Sequence, residues 1–154
     1  LAGGMELMIS CDLIVANSGA KFGIPEAKRG LAAAAGGLMK LPDLIPPKVA
    51  MELALTGDFI DTDRAYQLGL INEVVPHDEL LPHARAAALR LIPPGGPGMA
   101  VRLTKRALHR QLDGEIQRAL DEENIALNQS IGSEDFVEAV AARMQKRDPV
   151  YRGK

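Results

Sequence analysis

The sequence predicts an α/β fold followed by a helical appendage, and three observations carry that expectation. Short apolar and β-branched runs alternate with helix-periodic segments up to residue 92. The tract Pro93-Pro94-Gly95-Gly96-Pro97-Gly98 then interrupts both periodicities, and beyond it apolar residues recur only at helical spacing. A boundary is expected there, between residues 1–92 and a helical region of residues 93–154. With 154 residues, 47% of them apolar and 25% charged, the chain has the composition of a folded domain with a sizeable core.

Taken in order, Ala2-Gly3-Gly4 is a glycine turn opening into an apolar helix that carries Met5, Glu6, Leu7, Met8 and Ile9. Leu1 enters that turn with nothing before it to form the other side, so the residues are expected to be the C-terminal part of a longer protein. Asp12-Leu13-Ile14-Val15-Ala16 and Ala20-Lys21-Phe22-Gly23-Ile24 are expected strands, joined by a turn at Asn17-Ser18-Gly19 and ended by Pro25. Ala32 to Gly37 reads as small and flexible, leading into Leu38-Met39-Lys40-Leu41. Pro46-Pro47 starts a helix with Val49, Ala50, Leu53 and Ala54 on one face, and Gly57 stops it.

Asp61 is a good N-cap for a short helix through Ala65 and Leu68, which Gly69 ends before the strand-like Leu70-Ile71-Asn72-Glu73-Val74-Val75. His83 to Leu91 forms another short helix. In the appendage, Val101, Leu108 and Leu112 mark one helix and Ile116, Leu120, Leu127 and Ile131 a second, with Asp113-Gly114 as the break. Gly132-Ser133 ends that helix and caps the next, whose stripe is Val137, Val140, Ala141 and Met144.

Composition removes several function classes. The net charge of -2, from 18 Lys+Arg against 20 Asp+Glu, gives no general pull toward nucleic acid or anionic membrane. Cys11 is the single cysteine, so no intrachain disulfide framework and no Cys-based zinc site form, and a reducing, cytoplasmic setting is expected. His77, His83 and His109 lack the spacing that sets two imidazoles on one helical face, so no metal is expected. The apolar runs fall far short of the ~18 residues of a membrane-spanning helix.

Two carboxylates stand out. Glu6 lies on an otherwise apolar helix, where burying its charge is costly without partners. It is either a functional group or a dipole-favoured residue on the polar edge of a first turn. Glu26 follows Phe22-Gly23-Ile24-Pro25 at a strand end, as a site residue on a sheet rim or as a solvated loop acid. Gly3-Gly4 lets a ligand approach the backbone, and the first helical amides have no internal partner, which makes an oxyanion site available.

These residues carry a resemblance. Leu1-Ala2-Gly3-Gly4-Met5-Glu6-Leu7, Cys11-Asp12, Phe22-Gly23-Ile24-Pro25-Glu26 with Gly30, Gly36-Gly37, Leu55-Thr56-Gly57, and Ala65 with Gly69-Leu70-Ile71-Asn72-Glu73-Val74 together resemble the enoyl-CoA hydratase/isomerase (crotonase) family. The ending Lys146-Arg147-Asp148-Pro149-Val150-Tyr151-Arg152-Gly153 resembles that family's as well. The similarity covers all 154 residues but only the second half or so of a typical member.

The resemblance implies a crotonase-like spiral of ββα units, here its C-terminal part with the active-site helix, followed by a helical trimerisation region. It implies Glu6 as the base that activates water and Glu26 as the acid that protonates C2 of a trans-2-enoyl-CoA, so a hydratase rather than an isomerase. Gly3 matches the oxyanion donor, Ala2 and Ala34 neighbouring substrate-binding positions, and Lys146 a partner for CoA phosphate. The family's other oxyanion donor belongs to an earlier segment, so residues 1–154 alone are expected to be inactive. No cofactor is implied beyond the CoA thioester substrate, and the expected assembly is a homotrimer or hexamer without nucleic acid or membrane.

Three departures mark this chain. Ala33-Ala34-Ala35-Gly36-Gly37 replaces the usual Pro-Gly-x-Gly-Gly, Arg143 stands where an aromatic is common, and Ala139 where glycine is. Pro25-Glu26-Ala27-Lys28, Leu41-Pro42, Pro46-Pro47 and the Lys-Arg-Asp-Pro ending resemble carnitinyl-CoA dehydratases, the near alternative to a simple enoyl-CoA hydratase. An enoyl-CoA isomerase is a further alternative. From another class comes a non-catalytic acyl-CoA binder, against which the presence of both glutamates argues. The clusters Lys105-Arg106 with Arg110, and Lys146-Arg147 with Arg152, are either solvated helix faces or phosphate partners. RNA binding ranks last, since the chain has two Tyr, three Phe, no Trp and no stacking motif.

Overall fold

The computed structural model describes residues 1–110 and 113–152. Helix α1 (Gly3–Met8) is entered through a tight turn in which Gly4 N–H donates to Leu1 O at 3.2 Å. Ala2 sits in that turn at φ 53 and ψ -137, the conformation of the first central residue of a type II′ turn. The six-residue helix buries Met5 and Glu6.

Strand β1 (Val15–Asn17) and strand β2 (Lys21–Phe22) follow. They occupy the two predicted runs, shortened, but do not pair with each other. β1 runs parallel to β4 (Glu73–Val75), with Val15 opposite Glu73 and Asn17 opposite Val75. β2 is antiparallel to β3 (Ile60–Asp61), with Phe22 opposite Ile60. The connecting turn is held by its own side chain, since Asn17 Oδ1 accepts from Gly19 N at 2.9 Å. It redirects the chain between two ladders rather than closing a hairpin. Leu70 and Ile71, expected in the last strand, are buried ahead of it.

Pro25–Arg29 forms a 3₁₀ turn closed by Gly30 at φ 67. Residues 32–36 form no regular element, and helix α2 (Gly37–Leu44) takes up the Leu38-Met39-Lys40-Leu41 run that they lead into. Pro42 lies inside it and donates no helical bond, which disguises the helical pattern. Helix α3 (Pro47–Thr56) has the predicted start and its stop at Gly57, φ 64, and buries Ala50 and Leu53. In α4 (Thr62–Gln67), Asp61 caps the first turn by accepting from Arg64 N at 2.8 Å. Met5, Ile9, Phe22, Ile24, Leu41, Leu53 and Ala65 form one core that joins α1, both ladders, α2, α3 and α4.

Helix α5 (Leu80–Leu89) buries no residue. After the Pro/Gly tract come α6 (Gly98–Arg110), α7 (Asp113–Ile131) and α8 (Glu134–Met144). Asp113-Gly114, expected as the break between two helices, lies in the first turn of α7; Leu112 lies outside the described residues. Ser133 caps α8 as predicted, its Oγ accepting from Phe136 N at 3.1 Å. The expected α8 stripe is not a buried one: Val137, Val140 and Met144 are exposed, and Ala142 is the residue buried.

Candidate active site

Glu6 is placed by the short α1, whose Met5 anchors it in the core while Glu6 itself is only 5% exposed. Its Oε1 accepts two backbone hydrogen bonds, from Ala35 N at 2.9 Å and Gly37 N at 3.1 Å. Those donors replace the water that a buried carboxylate forfeits. The polar-edge reading of Glu6 is therefore overturned, since the side chain points into the protein.

Glu26 sits in the first turn of the 3₁₀ segment, just after the buried Pro25. The approach is tight at Gly23, where a Cβ would lie 2.7 Å from Asp58 O and from the Phe59 ring. Glu26 Oε2 is buried and has no hydrogen-bond partner among the described residues. Burial pushes the Glu26 carboxyl above the ordinary carboxylate range; its own backbone N–H pulls the other way, and the nearby Glu6 charge adds to the rise.

Both glutamates line one cavity of about 290 Å³, walled by Leu31, the four alanines 32–35 and Leu127 of α7. Small side chains leave space beside the carboxylates, and Leu127 brings the helical region into the wall. One carboxylate held by two N–H donors faces the same space as one whose pKa burial raises. Such a pair suits a base and an acid acting on one bound molecule.

The remaining predicted site residues are placed as follows. Ala34 lines the cavity. Gly3 begins α1 beside Glu6, a Cβ there falling 4.0 Å from Glu6 Oε2, and its N–H has no acceptor among the described residues. Ala2 N–H is taken, donating to Gly23 O at 3.0 Å, so Ala2 contributes the shape of the turn rather than a donor. Lys146 is exposed just beyond α8 at φ 54 and does not line this cavity.

Sequence reasoning missed Glu123 on α7, which is 4% exposed and binds Gly36 N and Met39 N, each at 2.7 Å. Its signal was available, because Leu120, Glu123 and Leu127 share one helical face and an acid on an apolar face needs partners. Elsewhere, Lys105 and then His109 hold the Asp12 carboxyl below its usual range, tying α6 to the loop after α1. Among the described residues no group of three or more His, Cys, Asp or Glu is placed to hold a metal ion, and no helix is long and apolar enough to cross a membrane.

The sequence pattern of the family described as enoyl-CoA hydratase/isomerase matches residues 1–154. The chain belongs to the enoyl-CoA hydratase/isomerase family. Among curated members, it is 39% identical over 147 residues to the crotonyl-CoA hydratase of Syntrophomonas wolfei, covering 96% of this chain and 56% of that protein. It is 35% identical over 147 residues to the short-chain-enoyl-CoA hydratase of Clostridium acetobutylicum, covering 96% and 56%. The crystal structure of a carnitinyl-CoA hydratase from Mycobacterium avium superposes with a TM-score of 0.92 at 36% identity, covering 99% of this chain and 59% of that one. The chain thus has the crotonase fold, and it spans little more than half the length of these enoyl-CoA hydratase/isomerase relatives.

Proposed function

We propose that the protein containing these residues is an enoyl-CoA hydratase, adding water reversibly across the double bond of a trans-2-enoyl-CoA thioester. The observation that carries this reading is the meeting of Glu6, held by two backbone N–H donors, and Glu26, whose buried Oε2 has no partner among the described residues, in one cavity. Glu6, oriented by two amides, takes a proton from water as the water oxygen bonds to C3. The π electrons move toward the thioester carbonyl, and Glu26 delivers a proton to C2 as the carbonyl reforms. Proton exchange with solvent returns both groups to their starting states. An isomerase needs one group to shuttle a single proton, so two carboxyls on one space favour hydration.

The developing charge on the thioester oxygen needs donors. Gly3 N–H, beside Glu6 and without an acceptor among the described residues, is the proposed one, and Ala34 lies along the acyl group. The second donor belongs, by the family resemblance, to a part of the protein outside residues 1–154, so these residues alone should not turn over. No cofactor is required, since the CoA thioester is itself the substrate. Lys146, exposed beyond α8, is proposed as a CoA-phosphate partner.

The division at residues 92 and 93 is supported by the Pro/Gly tract and by the helix-only content of the described residues beyond it. Exposed apolar residues on α6 and α8, including Leu103, Leu108, Val137 and Met144, support assembly into a trimer or hexamer. The single cysteine supports an enzyme of acyl-CoA breakdown in a reducing, cytoplasmic setting, and the near-neutral charge supports the absence of a nucleic-acid or membrane partner. The second reading is a carnitinyl-CoA dehydratase, favoured by the TM-score of 0.92 and the 36% identity to the structure of a carnitinyl-CoA hydratase.

The test follows the conjugated enoyl-thioester absorbance with the full-length protein and crotonyl-CoA. Rapid loss of absorbance, absent in Glu6→Gln, is expected. Activity on carnitinyl-CoA alone would select the second reading, and CoA binding without turnover of either would leave a non-catalytic acyl-CoA binder.

A further inference from the structure

Four N–H groups at the start of α2 are divided between two buried carboxylates. Ala35 and Gly37 donate to Glu6, while Gly36 and Met39 donate to Glu123. The segment is thus clamped from both sides, by a residue of the core and by a residue of α7. Gly36 makes the division feasible: at φ 97 it turns successive N–H groups to opposite sides, a conformation that L side chains rarely adopt. Leu127, one helical turn beyond Glu123, lines the cavity that Glu6 and Glu26 share.

We infer that Glu123 is a positioning residue for Glu6, acting through the amides it fixes; the inference rests on the assignment of Glu6 as the base. Glu123 Oε2 holds the Gly36 N–H and Oε1 the Met39 N–H, so the first turn of α2 has one orientation relative to α7. That orientation aims the neighbouring Ala35 and Gly37 amides at Glu6 Oε1. Removing the clamp leaves the buried Gly36 N–H and the part-buried Met39 N–H without their acceptor, and the segment must move to satisfy them. Any such movement carries the Glu6 carboxylate with it. Misplacing a catalytic group by about 1 Å costs on the order of 10²-fold in rate. The helical region therefore shapes the chemistry as well as any assembly.

The test uses the full-length protein with Glu123→Gln and Glu123→Ala. Glu6→Gln and Asn128→Ala, an exposed position on α7, serve as references. Gln keeps one acceptor and sets an NH₂ against the other amide, so kcat should fall roughly 10-fold, and Ala should fall further, toward ~10²-fold. KM should stay within about twofold in both, because the substrate contacts are untouched. A merely structural clamp would lower the thermal midpoint and leave kcat per folded molecule unchanged, and that result overturns the inference.

Amide hydrogen exchange supplies a second readout, independent of turnover. Ala35 and Gly37 should lose protection in Glu123→Gln while α3 and α4 keep theirs; unchanged protection at both amides also overturns the inference. Should the wild type hydrate no enoyl-CoA, the hydratase reading fails on its own, and the exchange result alone decides whether Glu123 holds the Glu6 donors.

Discussion

Gly37 N–H donates to Glu6 Oε1 at 3.1 Å, and a Cβ on Gly37 would stand 2.8 Å from that same oxygen and 3.2 Å from Glu6 Cγ. The glycine is needed for proximity, since a methyl group there occupies the carboxylate's place. Gly37→Ala is expected to displace Glu6 and lower kcat on the order of 10²-fold with little change in KM. Steady-state kinetics check this, and a variant with wild-type kcat would show that Glu6 need not stand where it does.

Ala2 occupies φ 53 and ψ -137, where its Cβ is strained. Ala2→Gly should relieve ~1–3 kcal/mol of strain against ~0.5–1 kcal/mol of added unfolded-state entropy. The substitution is therefore expected to stabilise by about 1 kcal/mol, or roughly 2–4 °C in Tm for a protein of this class of size. Its N–H bond to Gly23 O is a backbone bond and survives the change. Calorimetry that found Ala2→Gly destabilised would mean that the turn accommodates the methyl group without strain.

Both glutamates stood out in the sequence, but the residues alone left each open to a polar-edge or solvated-loop reading; what they could not give is that the two line one cavity. The caps at Asp61 and Ser133 and the stop at Gly57 were legible, since capping chemistry is local. Strand pairing was not, because β1 and β2 find their partners at residues 73–75 and 60–61, and nothing in a local run names a distant partner. α2 was hidden by Pro42. Glu123 was hidden by its setting, Asp121-Glu122-Glu123-Asn124, which looks like a solvated helix face until Leu120 and Leu127 are placed on the same side.

The chain end beside Lys146 gathers on the Glu138 carboxylate, and Arg152 N–H beyond it donates to Asp135 Oδ1 at 2.6 Å. Arg147 reaches Glu138 with both Nη atoms, at 2.5 and 2.9 Å, and Val150 N–H joins at 2.8 Å. These donors bring the Glu138 carboxyl down to about 2 from an ordinary 4.5, the Arg147 contact acting most strongly. A lowered folded-state value means that the stabilisation is present above 4.5 and lost as pH falls through about 2. An NMR titration should show Glu138 ionised down to near that pH, and Arg147→Ala should return it toward 4.5. An unmoved titration in Arg147→Ala would assign the shift to the Val150 amide instead.

Glu26 has the opposite sign. Burial raises its folded-state pKa, and the Glu6 charge adds to the rise, so the native state holds this proton where the unfolded chain has released it. Below the ordinary value of 4.5 both states are protonated and Glu26 contributes no pH dependence. As pH rises past 4.5 the unfolded state ionises first, and native stability falls until the folded-state value is passed. Glu26→Gln keeps the shape and removes the ionisation. Its Tm relative to wild type should therefore be more favourable at pH 7 than near pH 4, where the comparison reports only the amide-for-acid exchange. The same substitution removes the proton meant for C2, so hydration should fall by ~10²-fold or more. Stability and activity would then move in opposite directions at one position, as they do where a site holds a group against its preferred state. An inactive Glu26→Gln with no pH-dependent gain in Tm would mean that the charged carboxylate is well solvated in the native protein, and the acid role would have to rest on geometry alone.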